Sequence, residues 1–207
     1  MKKISPGMYL VIGSVALLLA AFYLMSRTGG ESRTALPAGD PMHASSGSEK
    51  SQLSIVGRSI TEFSLKDRNG IPYTSENFKG KTTVLFFNEG LMCYPSCWNQ
   101  MVSLANDSRF QGPDVQVFAV VVDDPGEWDQ AIRKMPELGK ATVLFDTDRK
   151  VSKSLDMLTA ASSMHSGSYP GHSYVIVDAS GTVRFAFDDP RMAINNDLLA
   201  LKLSELK

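Results

Sequence analysis

The chain has 207 residues, 43% of them apolar and 21% charged, an ordinary balance that excludes wholesale disorder and collagen-like repeats. With 21 Lys and Arg against 22 Asp and Glu, it has no cationic surplus to neutralise phosphates, so nucleic acid is not an expected partner. The two cysteines, Cys93 and Cys97, stand too close in sequence to staple distant segments, so their value must be local chemistry.

Lys2 and Lys3 lie in residues 1–7, and residues 8–25 (MYLVIGSVALLLAAFYLM) carry no charge. At ~1.5 Å per residue the uncharged run approaches the ~30 Å of a hydrocarbon core, with Tyr9 and Tyr23 placed for the two interfaces. Its length, and its end at Phe22-Tyr23-Leu24-Met25, argue against a cleaved signal peptide. The expectation is one transmembrane helix over residues 8–25 behind a cytoplasmic N-terminus over residues 1–7. The remainder then lies outside the cytoplasm, on the periplasmic or extracellular face of the cell membrane. Residues 26–50, rich in Ser, Gly and Pro and without hydrophobic period, read as a flexible tether with a reach of about 25–30 Å. His43 falls inside this tether, in solvent.

Residues 51–207 have the length of one domain. Phe63-Ser64-Leu65-Lys66 and Ile71-Pro72-Tyr73-Thr74 flank Asp67-Arg68-Asn69-Gly70, where Asn-Gly supplies the positive φ angles of a hairpin turn. Residues 82–88 and 115–122 are continuous apolar, β-branched and aromatic runs, as strands covered on both faces require. Between them Cys97, Trp98, Met101, Leu104 and Ala105 recur at helical spacing. Trp128, Ala131, Ile132 and Met135 repeat the pattern before Pro136 ends it. A short strand over residues 142–145, a helix through Val151, Leu155 and Leu158, and a Ser- and Gly-rich loop follow. Residues 172–178 and 182–187 form a second hairpin about Ala179-Ser180-Gly181, and a helix over about residues 192–206 closes the chain. Asp188-Asp189-Pro190 reads as the start of that helix, and Met101, Met135, Met157, Met192 and Trp128 read as core packing. The predicted fold is α/β and thioredoxin-like, with an N-terminal β-hairpin and a central mixed sheet flanked by helices.

Cys93-Tyr94-Pro95-Ser96-Cys97 follows a buried strand and opens a helix, where backbone N–H groups and the helix dipole favour a thiolate. Pro95 is expected at the first helical position, with Cys93 in the loop ahead and Cys97 in the first turn. In a regular helix, residues four apart have Cβ atoms about 5–6 Å apart, too far for a disulfide at roughly 3.5–4.5 Å. A loop position for Cys93 removes that obstacle. The pair can then form a reversible disulfide or grip a metal, with Cys93 the exposed attacking thiol and Cys97 the shielded resolving one. Trp98 and Met92 are expected at the rim. Two inert, buried thiols are the competing reading, disfavoured in an oxidising compartment. Glu89, four residues before Cys93, is a candidate for proton transfer or else a solvated loop residue. His172 and His165 are candidates to approach the cysteines or to order their own loop. A four-ligand zinc site using both is disfavoured by their His-x6-His spacing.

The runs TTVLFFNEGLMCYPSCWNQM, PGHSYVIVDASGTVRFAF and FSLKDRNGIPYTSENFKGK resemble the redoxin branch of the thioredoxin superfamily, over residues 57–207. That branch includes alkyl hydroperoxide reductase/thiol-specific antioxidant proteins, TlpA-like thiol–disulfide oxidoreductases and Sco-like copper proteins. The resemblance implies a thioredoxin fold with Cys93 as the reactive residue. The peroxiredoxin motif Pro-x-x-x-Thr-x-x-Cys would put Pro at Phe86 and Thr at Gly90, and neither is present. TlpA-like proteins usually separate the cysteines by two residues, here three, and carry a cis-proline where this chain has His172. Sco-like proteins share Cys-x-x-x-Cys and a distant His, a set that suits the soft ion Cu(I). The expected function is therefore a membrane-anchored thiol–disulfide oxidoreductase cycling Cys93 and Cys97. It would exchange electrons with a protein partner or a small-molecule thiol and require no cofactor. The alternatives are a Cu(I) metallochaperone using Cys93, Cys97 and His172, with His165 beside Met164 as a further ligand candidate, and a peroxide reductase.

Overall fold

The computed structural model describes residues 53–206; the expected transmembrane segment, the tether and His43 lie outside them. Among the described residues no helix is long and apolar enough to cross a membrane. The strands are β1 (Ser64–Asp67), β2 (Pro72–Thr74), β3 (Thr82–Phe87), β4 (Val115–Val121), β5 (Val143–Phe145), β6 (Ser173–Val177) and β7 (Val183–Asp188). They form a single sheet in the order β2-β1-β5-β4-β3-β6-β7. β3 pairs in parallel with β4 and antiparallel with β6, which makes the sheet mixed and sets β3 in its interior, next to the central strand β4. The helices are α1 (Ser96–Asn106), α2 (Trp128–Lys134), α3 (Lys150–Ser154) and α4 (Asn196–Ser204).

Alternation along β3 explains why its apolar run is unbroken. Val84 and Phe86 join a core with Cys97, Trp98, Met101, Trp128 and Leu199, from α1, α2 and α4. Leu85 and Phe87 point the other way, into a second core with Ile55, Phe63, Phe78, Val151 and Met157. A strand wetted on neither face has no position at which a polar side chain costs nothing.

Three local expectations change. The first hairpin turn is closed by Asp67, whose Oδ1 accepts from the N–H groups of Asn69 and Ile71, and Gly70 alone of the Asn-Gly pair takes a positive φ, +78°. The helix expected through Leu158 stops after Ser154: Asp156 adopts φ +62°, and Met157–Thr159 form a separate 3₁₀ turn. The closing helix begins at Asn196 rather than near Met192, because Met192 sits at φ +50° in an irregular segment. Met135 and Met192 are accordingly half-buried flanks of the core, whereas Met101 and Met157 lie within it.

Topology gathers the chemistry at one edge. The carboxyl ends of parallel β3 and β4 and the amino end of antiparallel β6 coincide there, since Phe87 pairs with both Val120 and Ser173. The residues just beyond, Asn88 to Cys93, Val122 to Asp124 and His172, must therefore meet, as ligand sites commonly do at strand carboxyl ends in α/β sheets.

Candidate active site

Cys93 and Cys97 are joined by a disulfide, with Cα atoms 5.3 Å apart. Cys93 lies at the end of the turn Gly90–Met92, and Cys97 is the second residue of α1, so only one of them is helical. Pro95 flanks the helix one residue earlier than expected, α1 opening at Ser96. Cys97 is fully buried and Cys93 is 5% exposed, so in the oxidised state the attacking candidate is less open than its predicted role suggests. The rim also differs: Met92 and Tyr94 are 48% and 49% exposed, while Trp98 is buried beneath them. The Lys134 ammonium sits 3.7 Å from the centre of the Tyr94 ring, a cation–π contact at the mouth of the site. A cleft of about 470 Å³ opens alongside, lined by Leu91, Trp98, Gln130 and Lys134 among others.

His172, one residue before β6, brings its Nδ1 to 3.4 Å from Cys97 Sγ. Its Nε2 faces the Ala193 carbonyl at 3.2 Å and the Tyr174 hydroxyl at 2.8 Å. A carbonyl can only accept, so Nε2 carries the proton and Nδ1 presents a lone pair to the sulfur. Tyr174 in turn donates to Gln100 Oε1 at 2.9 Å, and Gln100 donates to Asn196 Oδ1 at 2.9 Å. Asn195 N–H also donates to Gln100 Oε1, which fixes the orientation of that amide. His172 and Tyr174 share one face of the strand, as do Cys97 and Gln100 one face of α1. Burial pushes His172 down to about 4, so the imidazole is neutral at physiological pH. Cys93, Cys97 and His172 offer three ligand atoms within 4.8 Å of one another.

The other sequence-derived candidates stand elsewhere. Glu89 is buried rather than solvated, and its carboxylate accepts from the N–H groups of Met164 at 2.7 Å and His165 at 3.1 Å. His165 pairs with the same carboxylate, Nδ1 to Oε2 at 3.3 Å, and does not join the Cys93–Cys97–His172 cluster. Met164 points to solvent. Asp188 and Asp189 do not open a helix. Asp188 accepts from Ser162 N–H and Ser173 Oγ, and the Ser162 hydroxyl, which also donates to Asp188, receives His172 N–H at 2.6 Å. Asp189 receives Ala193 N–H and Asn195 Nδ2. Both aspartates thus fasten the loops that hold His172.

Sequence reasoning missed Asp123, two residues past β4. Its Oδ2 accepts from Leu91 N–H and from Trp128 Nε1, both at 3.1 Å. Burial, opposed by these two bonds, raises it to about 6. Gly90 is at φ +58°, and any Cβ there would fall on the Asp123 carboxylate. The readable signal was position alone: a carboxylate just past the carboxyl end of a central strand.

The family model for Redoxin matches residues 55–198. A search of curated proteins returned no relative. Among solved structures, Enterococcus faecalis AhpC superposes with TM-score 0.63 at 16% identity, covering 74% of this chain and 92% of that one. Mycobacterium tuberculosis AhpC gives TM-score 0.61 at 19% identity over 74% and 93% of the two chains. A PrxQ mutant from Xylella fastidiosa gives 0.60 at 15% over 77% and 98%. At these identities the likeness establishes the shared thioredoxin-like fold, while the family assignment rests on the sequence match over most of the domain. The chain belongs to the redoxin family, as an oxidoreductase of thioredoxin-like fold.

Proposed function

We propose that this redoxin exchanges its Cys93–Cys97 disulfide with thiols of a protein partner or a small molecule. The observation that carries the reading is the juxtaposition of a loop sulfur, a helix sulfur bonded to it, and a neutral imidazole lone pair 3.4 Å from the second sulfur. In the reducing direction the Cys93 thiolate attacks a partner disulfide, forming a mixed disulfide and releasing one partner thiolate. Cys97 then attacks Cys93 Sγ, and its thiol proton, hydrogen-bonded to the His172 Nδ1 lone pair, is drawn onto that nitrogen only as the new sulfur–sulfur bond forms. The Cys93–Cys97 bond forms, the second partner sulfur leaves, and the proton follows it. Two electrons pass from the pair to the partner.

The names of the structural neighbours raise peroxide reduction as a rival. Position 90, where the peroxiredoxin motif places a Thr hydroxyl, holds a glycine, and the space its side chain would need is taken by Asp123. That favours thiol exchange. Copper delivery is the second reading, supported by the two sulfurs and one imidazole within 4.8 Å; the disulfide must first be reduced for both sulfurs to bind. The anchor over residues 8–25 and tether over residues 26–50 belong to the proposal, and they put the domain in a compartment where a disulfide persists.

The test is a redox titration of the full chain in glutathione buffers, with and without Cu(I), read by mass after thiol alkylation. The proposal expects two alkyl groups to appear together at one midpoint. Stoichiometric Cu(I) that blocks alkylation, with the block lost in His172→Ala, would transfer the assignment to copper. A pair that cannot be reduced without unfolding the domain would remove both.

A further inference from the structure

The turn that delivers Cys93 is gripped at all three of its backbone N–H groups and at the Gly90 carbonyl. Asn88 Oδ1 accepts Gly90 N–H at 2.9 Å, Trp98 Nε1 donates to the Gly90 carbonyl at 3.0 Å, and Asp123 Oδ2 accepts Leu91 N–H. Two of these partners are neutral. The third is a buried carboxylate that reaches across from the end of β4, with no counter-cation among its bonded partners in the described residues. A neutral amide or hydroxyl would satisfy the same two N–H donors without the desolvation that a charge entails. The glycine at position 90 is the complement of this arrangement, since no other residue leaves the carboxylate its place.

We propose that Asp123 is a positioning residue for the disulfide: ionised, it clamps the Gly90–Met92 turn and holds Cys93 against Cys97, and protonated, it loosens that clamp. The inference rests on the exchange reading and adds to it a pH-dependent control of how readily the pair closes. A charge-assisted hydrogen bond is roughly twice as strong as a neutral one, so Leu91 N–H is held more firmly by the carboxylate than by the acid. The switch falls near pH 6, where burial has placed the group. Glu127, at the turn before α2, is the charged side chain acting on Asp123 and pushes it in the same direction as burial. Asp124, next in the chain, turns its carboxylate onto Gly126 N–H instead, and the indole and backbone partners of Asp123 are neutral. Protonating one oxygen of Asp123 requires no movement of the sheet, because the bonded partners sit on the turn and on α2.

The experiment measures the equilibrium between the Cys93–Cys97 disulfide and glutathione, for the full chain and for D123N and D123A, at intervals from pH 5 to pH 8. At pH 7.5 the constant for closing the disulfide falls about tenfold in D123A, the equivalent of ~30 mV for a two-electron couple. D123N keeps an acceptor oxygen but no charge, so it falls less. The ratio of D123N to wild type climbs toward one as the pH drops through 6, because wild type then carries an uncharged side chain too. A ratio that stays flat from pH 5 to pH 8, or a D123N protein that matches wild type at every pH, overturns the assignment. If D123A fails to fold, D123N alone decides. A wild-type disulfide that never equilibrates with glutathione removes the exchange reading instead, so the two failures are separable.

Discussion

The two sulfurs of one disulfide live in different surroundings. Around Cys93 the chain is a short turn held by backbone hydrogen bonds and by a buried acid, and its neighbours Met92 and Tyr94 are exposed. Around Cys97 the setting is a fully buried helix face, an imidazole, and a chain of side-chain bonds through Tyr174 and Gln100 to Asn196. In the proposed exchange the first side presents and orients a sulfur, and the second offers a lone pair to the proton of the other sulfur. An oxidoreductase that must form a mixed disulfide at one sulfur and resolve it with the other needs this inequality, and the fold supplies it by drawing the two sides from different strands.

The largest expected effect tests whether the sides are interchangeable. Cys93→Ser abolishes disulfide reduction of any partner, whereas Cys97→Ser still takes a partner onto Cys93 and stalls there, as mass spectrometry of the product shows. Next comes the proton acceptor. His172→Ala slows resolution of that mixed disulfide by about 10²-fold, the lower end of general-base contributions, while the first attack at Cys93 keeps its rate. Stopped-flow measurement of the two steps separates them.

The comparison extends to stability. His172 has its folded pKa lowered to about 4, so acid protonates the unfolded chain first and stability falls as the pH drops from about 6.5 toward 4. Asp123 has its folded pKa raised to about 6, so the folded protein takes up the proton first and stability rises over the same descent. Each contribution is at most roughly 3 kcal/mol at 1.36 kcal/mol per pKa unit, and the two oppose one another. Denaturant midpoints of wild type are therefore nearly level between pH 4 and pH 6 as far as these two groups decide. D123N unmasks the histidine, and its midpoint falls with acid; His172→Gln unmasks the aspartate, and its midpoint rises. Profiles parallel to wild type in both variants would show that neither group is shifted. The smallest effect belongs to the outer network. Tyr174→Phe removes the hydroxyl between His172 and Gln100 and costs about 1–2 kcal/mol of stability, the range for breaking a buried hydrogen bond.

Much of this was legible in the sequence, for reasons that differ by residue. The unbroken apolar runs of β3 and β4 could only be two-sided strands, and a Cys-x-x-x-Cys just past such a strand had to sit at the start of a helix. His172 was readable because it stands immediately before a strand of the same kind. Asp123 and Gln100 were not, since neither belongs to a motif and each becomes significant only when parallel strand ends or facing helices are superposed in space. The solvated reading of Glu89 and the helix-start reading of the Asp188-Asp189 pair are overturned in the opposite sense. Acidic residues in loops are usually solvated, and nothing local announces that backbone N–H groups from a distant loop will cover them. The closing helix begins later than its apolar pattern, continued by Met192, Ala193 and Ile194, suggests, because the Asp189 carboxylate claims the backbone N–H groups of Arg191 and Ala193 first.

The most direct measurement compares Cys93→Ser and Cys97→Ser, each reduced and then mixed with oxidised glutathione, with the adduct followed by mass over time. The account predicts that the chain retaining Cys93 captures one glutathione rapidly and keeps it, while the chain retaining Cys97 reacts far more slowly. Faster capture at Cys97, or equal capture at both, would contradict the division of labour between the two sulfurs.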